Sequence, residues 1–178
     1  MKAVFERLYN EYHHDLYQFI FYMVKDKEVC EDLVQEVYIK VLKSYSTFKG
    51  NSNEKTWLFS IARHVTMDFF RKRKRKRGRI AEYFDWGSNG EFIQDKNMLP
   101  DEIAERNEEI KRVYYHLDKC SQDQKSVLIL RYIQSFSIEE TAEILSFSVS
   151  KVKTVQHRGI KRLKKWMSEE NQKGGDVS

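Results

Sequence analysis

Between Ser150 and Lys161 the residues Ser150, Lys151, Lys153, Thr154, His157, Arg158 and Lys161 supply hydroxyl, imidazole, guanidinium and ammonium groups without one acid, while Val149, Val152, Ile160 and Leu163 take the other side at helical spacing. On one acid-free helix face such groups match base edges and phosphates. A second set lies upstream, where Trp57, Phe59, Phe69 and Phe70 are interleaved with Arg63, His64 and seven consecutive basic residues, Arg71 to Arg77. Aromatic faces stack on unpaired bases and cations neutralise phosphate, so this composition suits single-stranded nucleic acid. For Trp57 and Phe69, inward packing is at least an equal alternative. A third set, Asp32, Gln35, Glu36, Ile39, Lys40 and Lys43, forms a mixed outer helix face, which suits a protein partner or simply water.

Enzyme chemistry has no footing: no carboxylate cluster, zinc-ligand spacing, glycine-rich phosphate loop or nucleophile motif is present. Cys30 and Cys120 stand far apart with no second Cys or His at ligand spacing, so buried, reduced thiols are expected and neither metal nor cofactor. His13 and His14 read as ordinary helix-surface residues. The chemistry is recognition.

The element that presents the first set is a pair of helices. Ile138, Thr141, Ala142 and Leu145 repeat at helical spacing, Phe147-Ser148 interrupts, and the second apolar series begins at Val149. Ser137 precedes Glu140 at capping-box spacing, and Ser148 is an N-cap candidate. A helix-turn-helix needs this arrangement, because its second helix enters the major groove with a polar, cationic face. Gly159 suits close approach of a neighbouring helix. A solvated helix at the end of a bundle is the rival reading; the first helix of the pair and the second basic cluster weigh against it.

Upstream, 4–25 is amphipathic through Val4, Phe5, Leu8, Tyr12, Leu16, Phe19, Ile20 and Met23, and a helix from about Val29 to Tyr45 turns Leu33, Val34, Val37, Val41 and Leu42 inward. The turn formers at 48–53 break the pattern, and a third helix starts near Glu54 and ends in the basic run. Residues 78–104 lose periodicity, hold the chain's single proline and read as a flexible linker. Beyond it, Asp101 to Lys119 reads as a helix with Ile103, Ile110, Val113, Tyr114 and Leu117 inward, Ser121 to Gln124 as a second capping box, and the tail from Ser168 as disordered.

With one proline, seven glycines and no long β-branched alternation, the class is all-α, in two small helical domains: 1–77 and 105–167, with the linker 78–104 between them and the tail 168–178 behind. Charge supports that division. Residues 1–77 carry sixteen Lys/Arg against ten Asp/Glu, 78–104 two against six, and 105–178 fourteen against eleven. Two basic segments around an acidic one imply two contacts with a polyanion. The charged N-terminus is not a signal peptide, and no run approaches the roughly 18–20 apolar residues of a membrane span, so a cytoplasmic protein with no direct membrane insertion is expected.

Two stretches on opposite sides of the linker carry a resemblance: EDLVQEVYIKVLKSYSTFKG followed by TWLFSIARHVTMDFFRK, and LILRYIQSFSIEETAEILSFSVSKVKTVQHRGIKRLK. In this order the chain resembles bacterial sigma factors of the extracytoplasmic-function group over about 4–76 and 101–165, and around 17–65 it is closest to the sigma-X type. The resemblance implies a region 2 domain at 1–77 that binds RNA polymerase core and the minus-10 element, and a region 4 helix-turn-helix domain at 105–167 that binds the minus-35 element. Asp32, Gln35 and Glu36 fall in the motif that docks on the clamp of the largest polymerase subunit. The 49–55 loop, with Lys49, Asn51, Ser52, Asn53 and Lys55, and His64 with Asp68 a turn later fall where the family holds a flipped-out minus-10 base; Trp57 and Arg71 complete that set. Flipping costs a few kcal/mol, which binding must offset. Lys153, Thr154, His157 and Arg158 match the minus-35 readers beside Ser150, and Lys151, Lys161 and Arg162 match phosphate contacts.

The resemblance further implies promoter DNA as partner in duplex and melted form, an anti-sigma factor that can hold the protein at the membrane, an envelope-stress regulon and no small-molecule substrate. It also implies that the linker threads toward the polymerase active site. The competing expectation is an ordinary helix-turn-helix regulator, which binds duplex operator DNA by itself as a dimer.

Overall fold

The structure is a computed structural model that describes residues 2–83 and 108–175, with side chains over 2–79 and 108–172. It divides into two compact units, and every regular element among the described residues is helical, which is the all-α class read from composition. The first unit holds α1 (Lys2–Val24), α2 (Lys27–Ser44), a 3-10 turn (Tyr45–Thr47) and α3 (Glu54–Tyr83); the second holds α4 (Glu108–Leu117), α5 (Gln122–Leu128), a π turn (Ile129–Ile133), α6 (Ile138–Leu145) and α7 (Val149–Gly175).

In the first unit α1, α2 and α3 pack on one another around Leu16, Phe19, Ile20, Val37, Val41, Leu58, Phe59 and Ala62, all with no exposed surface. The α1 stripe widens at its end, where Phe21, Tyr22, Met23 and Val24 are all buried. Lys25 then takes the left-handed conformation at φ 55°, which stops the helix, and the Asp26 side chain caps α2 by accepting from the Val29 N–H at 3.0 Å. Phe59, grouped by sequence with the base-stacking aromatics, is instead a core residue whose ring lies 5.6 Å from that of Phe19. The mixed aromatic and basic composition of α3 concealed a second periodicity: Leu58, Phe59, Ala62 and Val65 point inward together.

α3 also runs past its basic segment to Tyr83, into the stretch read as linker. Arg, Lys, Ala and Glu are good helix formers and one glycine costs only about 1 kcal/mol, so nothing in 71–83 compels a stop. The remainder of the expected linker, 84–104, and the beginning of the expected 101–119 helix, Ile103 included, lie outside the described residues.

The second unit is assembled by its caps. Both expected capping boxes form, Ser121 with Gln124 and Ser137 with Glu140. A feature without sequence signal follows α5: the chain loosens into the π turn, and Ser135, at φ 60°, redirects it towards α6. Arg131 in that turn donates to Gln156 Oε1 at 3.0 Å and to the Phe136 carbonyl, tying the turn to α7. Between α6 and α7, Ser146 adopts the left-handed conformation at φ 54° while its N–H reaches the Glu143 carbonyl at 3.2 Å and the Phe147 N–H the Ala142 carbonyl at 2.9 Å. This is the closure usually built on glycine, here on serine. Ser148 then caps α7, its Oγ accepting from the Lys151 N–H at 3.1 Å.

The tail expected to be disordered is helical as far as Gly175. Its anchor is a polar cluster: the Glu170 carboxylate accepts from Arg112 Nε at 3.0 Å and from the buried His116 Nε2 at 2.9 Å, and Asn171 Oδ1 accepts from Arg112 Nη2 at 2.7 Å. The His116 hydrogen bond, then that of Arg112, holds the Glu170 pKa below the usual carboxylate value. With the folded value depressed, the anchoring is complete above the ordinary unfolded value of about 4.3 and is lost as pH falls through the lower folded value. In a pH titration followed by NMR, the amide signals of 168–172 are expected to move with a midpoint below that of an ordinary glutamate. Movement centred at the ordinary glutamate value would show that the cluster does not form.

Candidate nucleic-acid interface

On α7, Ser150, Thr154, His157 and Lys161 follow one another at i, i+4, i+7 and i+11 and so form one line, with Lys153 on one flank and Lys151, Arg158 and Arg162 on the other. All eight are exposed. The opposite side fixes the helix: Val152 has no exposed surface, and a Cβ at Gly159 would meet Leu128 Cδ1 at 3.0 Å, so α7 rides directly against α5 as the glycine suggested. Two of the cations are held in place. Lys151 Nζ sits 3.4 Å from the Phe147 ring centroid and 3.5 Å from Asp123 Oδ2, and the Arg162 guanidinium stands 6.0 Å over Trp166. Asp123 therefore brings from α5 an acid to a face on which α7 itself carries none. Thr154 Oγ1 donates back to the Ser150 carbonyl at 3.0 Å, leaving its lone pairs to accept.

The first unit assembles the other expected face around the start of α3. Lys49, Asn51 and Asn53 are exposed and Ser52 is half-buried; Gly50, at φ 69°, makes the turn a glycine makes without penalty. Asn53 is also the helix cap, its Oδ1 accepting from the Lys55 N–H at 2.8 Å. Lys55 reaches back to Asp15 Oδ2 at 2.8 Å, so its charge is partly spent inside the unit. Trp57 is half-buried in an aromatic wall with Phe48 at 4.8 Å and Tyr45 at 6.0 Å between centroids. That arrangement lies between the two alternatives the sequence left open, since one face packs and part of the indole stays accessible.

Two turns further, His64 and Asp68 stand four residues apart on one face of α3. The ring of His64 is oriented by its own helix: Nδ1–H donates to the Ser60 carbonyl at 2.7 Å, which leaves Nε2 of the neutral ring as an acceptor in solvent. Asp68 pairs with Arg71, so the carboxylate is positioned as well. Together they offer two acceptors and a guanidinium to whatever lies on that face.

Sequence reasoning missed what braces this region. Arg7 from α1 makes a two-pronged ion pair with Glu54, at 2.7 Å to each oxygen, and the Tyr45 hydroxyl donates to Glu54 Oε1 at 2.8 Å. These hydrogen bonds, Arg7 first, hold the Glu54 carboxyl below the usual range. Arg7 and Glu54 lie 47 residues apart, a separation at which no local pattern links them.

On α2, Asp32, Gln35 and Ile39 are exposed and Glu36 pairs with Lys40 at 3.1 Å. Beside them runs an open groove lined by Phe5, Tyr9, His13, Tyr17, Tyr38 and Ile39. His13, expected on the helix surface, is instead part of this wall: it stacks on Tyr9 at 4.1 Å, and burial lowers its pKa. Neither its Nδ1 nor the Tyr38 hydroxyl has a hydrogen-bond partner among the described residues. Tyr38, four residues from the inward-facing Val34, is buried beneath α1. Cys30 is buried with its thiol pushed up to about 12 by desolvation, in keeping with a structural thiol, and Cys120 is buried too.

Residues 8–76 match the sigma-70 region 2 model and 117–165 the sigma-70 region 4 model. The extracytoplasmic-function (ECF) RNA polymerase sigma factor SigX of Bacillus subtilis is 57% identical over 94% of this chain and 85% of its own length. SigW of the same organism is 30% identical over 86% of this chain and 83% of its own. Among solved structures, the sigma factor RpoE of Bartonella quintana, crystallised with the anti-sigma factor NepR, superposes with a TM-score of 0.73 at 27% identity, covering 94% of this chain and 98% of the other. Region 2 on the α1–α3 unit and region 4 on the helix-turn-helix, in that order and beside relatives of nearly the same length, place this chain in the family of ECF RNA polymerase sigma factors.

Proposed function

We propose that this sigma factor binds RNA polymerase core through α2 and reads promoter DNA with two separate faces, minus-10 through α3 and its preceding loop, minus-35 through α7. The observation that carries the reading is the acid-free half-cylinder of eight exposed polar and cationic residues on α7, paired in the same chain with a helix that orients His64 and Asp68 and follows a polar loop. Ser150, Lys153, Thr154, His157 and Arg158 are assigned to minus-35 bases, and Lys151, Lys161 and Arg162 to phosphates. Lys49, Asn51, Ser52, Asn53, Lys55, Trp57, His64, Asp68 and Arg71 are assigned to the minus-10 element. The protein contributes binding energy that offsets strand opening, and the polymerase alone catalyses. The domain limits proposed with it are 1–77 for region 2 and 105–167 for region 4.

Asp32, Gln35 and Glu36 are assigned to the polymerase clamp. Charge reversal at the exposed α2 face is the sharpest check: Glu36→Lys is expected to weaken association with core polymerase at least tenfold, about 1.4 kcal/mol, without changing the thermal unfolding of the protein. Unchanged core affinity removes Glu36 from the docking surface. An anti-sigma partner is proposed from the likeness to the RpoE complex; a cytoplasmic location and an envelope-stress regulon are proposed from the family resemblance. No helix among the described residues is long and apolar enough to cross a membrane.

The experiment is run-off transcription with purified core polymerase on promoter fragments that include the region upstream of this protein's own gene. Start sites that depend on the protein and share two spaced elements support the reading. Absence of initiation, together with tight binding of the protein alone to a duplex operator, favours a conventional regulator.

A further inference from the structure

The 48–53 loop, which carries Lys49, Asn51, Ser52 and Asn53, is fastened at both ends by one ring of hydrogen bonds. Tyr45 stands in the 3-10 turn just before the loop, and Glu54 is the first residue of α3 just after it. The Tyr45 hydroxyl accepts from Arg7 Nη2 at 3.1 Å and donates to Glu54 Oε1 at 2.8 Å, while Arg7 donates to both Glu54 oxygens at 2.7 Å. Each side chain touches the other two, so the ring joins α1, the turn and α3. α1 holds the start of α3 a second time, because Asp15 pairs with Lys55 at 2.8 Å. None of the three ring residues belongs to the sealed core: Arg7 is exposed, and Tyr45 and Glu54 are half-buried. An exposed ion pair of the ordinary kind adds little stability. Its place at the loop ends gives this one another use. Tyr45 also stands 6.0 Å from Trp57 between ring centroids, and Phe48 stands 4.8 Å from the same indole, so the aromatic wall is set by a residue of the ring.

We infer that Arg7 is a positioning residue for minus-10 recognition: by clasping Tyr45 to Glu54 it holds the 48–53 loop and the Trp57 wall in the geometry that receives the flipped-out base. The inference rests on the minus-10 reading of that loop. A base that has left its stack gains most from a pocket already built, since any ordering of the loop on binding is subtracted from the interaction energy. A loop fastened at both ends has fewer conformations to lose than one fastened at a single end. The fastening depends on shape as well as charge. A planar guanidinium reaches both Glu54 oxygens and the Tyr45 hydroxyl at once, whereas an ammonium is a point charge that cannot hold that fork. Glu11, one turn along α1, lies 3.5 Å from Arg7 Nη1, so two carboxylates of the same unit meet the guanidinium charge. That places Arg7 behind the reading surface and not among the phosphate contacts.

The test uses the full chain in holoenzyme and a single-stranded, non-template oligonucleotide spanning the minus-10 element of a promoter from which that holoenzyme initiates, with each base of the element replaced in turn. Arg7→Gln and Glu54→Gln are each expected to weaken binding of the unaltered oligonucleotide about tenfold, the scale of one charge-assisted hydrogen bond, and to flatten discrimination at the captured base. Because the two residues act through one another, the double variant is expected to stay within about twofold of either single one. Arg7→Lys, which keeps the charge without the fork, is expected to discriminate as poorly as Arg7→Gln. Tyr45→Phe keeps the ring of the aromatic wall and removes only the hydroxyl; it is expected to reduce discrimination about threefold with an unchanged melting temperature. Affinity for core polymerase and for a minus-35 duplex is expected to stay the same throughout. Discrimination that survives in Arg7→Gln would overturn the clasp, as would losses that add in the double variant. A salt slope that falls by about one for Arg7→Gln but not for Glu54→Gln would make Arg7 a phosphate contact instead. Equal weakening at every base together with early thermal unfolding of Arg7→Gln, and with Tyr45→Phe indistinguishable from the unsubstituted chain, would reduce the ring to a brace for stability. If holoenzyme with the unsubstituted chain shows no preference among the oligonucleotides, the minus-10 reading fails; if it shows one and the variants keep it, the clasp alone is wrong.

Discussion

Phe59→Ala is expected to lower the stability of the first unit by about 3–5 kcal/mol, the usual cost of truncating a fully buried phenylalanine. The ring has no exposed surface and packs against Phe19, among Leu16, Ile20, Leu58 and Ala62 that are likewise sealed from water. Three helices meet at this point, so collapse of the cavity requires all of them to shift. Urea unfolding followed by circular dichroism checks it, with Trp57→Ala as the comparison: Trp57 is half-buried, and its truncation is expected to cost the unit less and minus-10 DNA binding more. A stability change below about 1 kcal/mol for Phe59→Ala, well under the cavity cost, together with abolished DNA binding, would return Phe59 to the stacking surface.

Arg158→Ala is expected to weaken minus-35 binding by about 1–3 kcal/mol, and to do so at one base pair. Arg158 is exposed on α7 beside the line of Thr154 and His157, where a planar guanidinium can donate two hydrogen bonds to one base edge. Binding of holoenzyme to all single-base variants of the element separates this from a phosphate contact. A base contact flattens discrimination at one position; a phosphate contact lowers affinity equally everywhere, as is expected for Lys161→Ala, which also reduces the salt slope by about one. Stability of the second unit is expected to change by less than about 0.5 kcal/mol, because the side chain leaves the core untouched. Equal weakening on every variant for Arg158→Ala demotes it to the phosphate class.

The helix-turn-helix was legible because its determinants are local. Capping boxes act over three residues and amphipathic faces over seven, so Ser121, Ser137, Ser148 and the bare acid-free face of α7 are all visible in a short window. The corner at Ser146 was less so: a left-handed closure is usually announced by glycine, and serine announces nothing. At the helix ends local rules stopped too early, since α3 and α7 each continue beyond the last apolar repeat. One lacks a breaker; the other is held by Arg112 and His116 from α4, more than fifty residues away in the chain.

By itself the sequence determined the helical class, the two basic segments around an acidic one, the order of regions 2 and 4 and the polar and cationic groups their helices carry. These follow from composition, period and spacing, all of which act within a few turns. Tertiary structure decided which aromatics do what: Phe59 became core, Trp57 half of a wall, and His13 and Tyr38 the lining of a groove, because burial depends on what the neighbouring helices cover. It also decided which polar groups are spoken for. Arg7 with Glu54, Asp15 with Lys55, Asp123 with Lys151 and His116 with Glu170 pair between elements far apart in the chain, and an ion pair depends on distance in space, which no local pattern records.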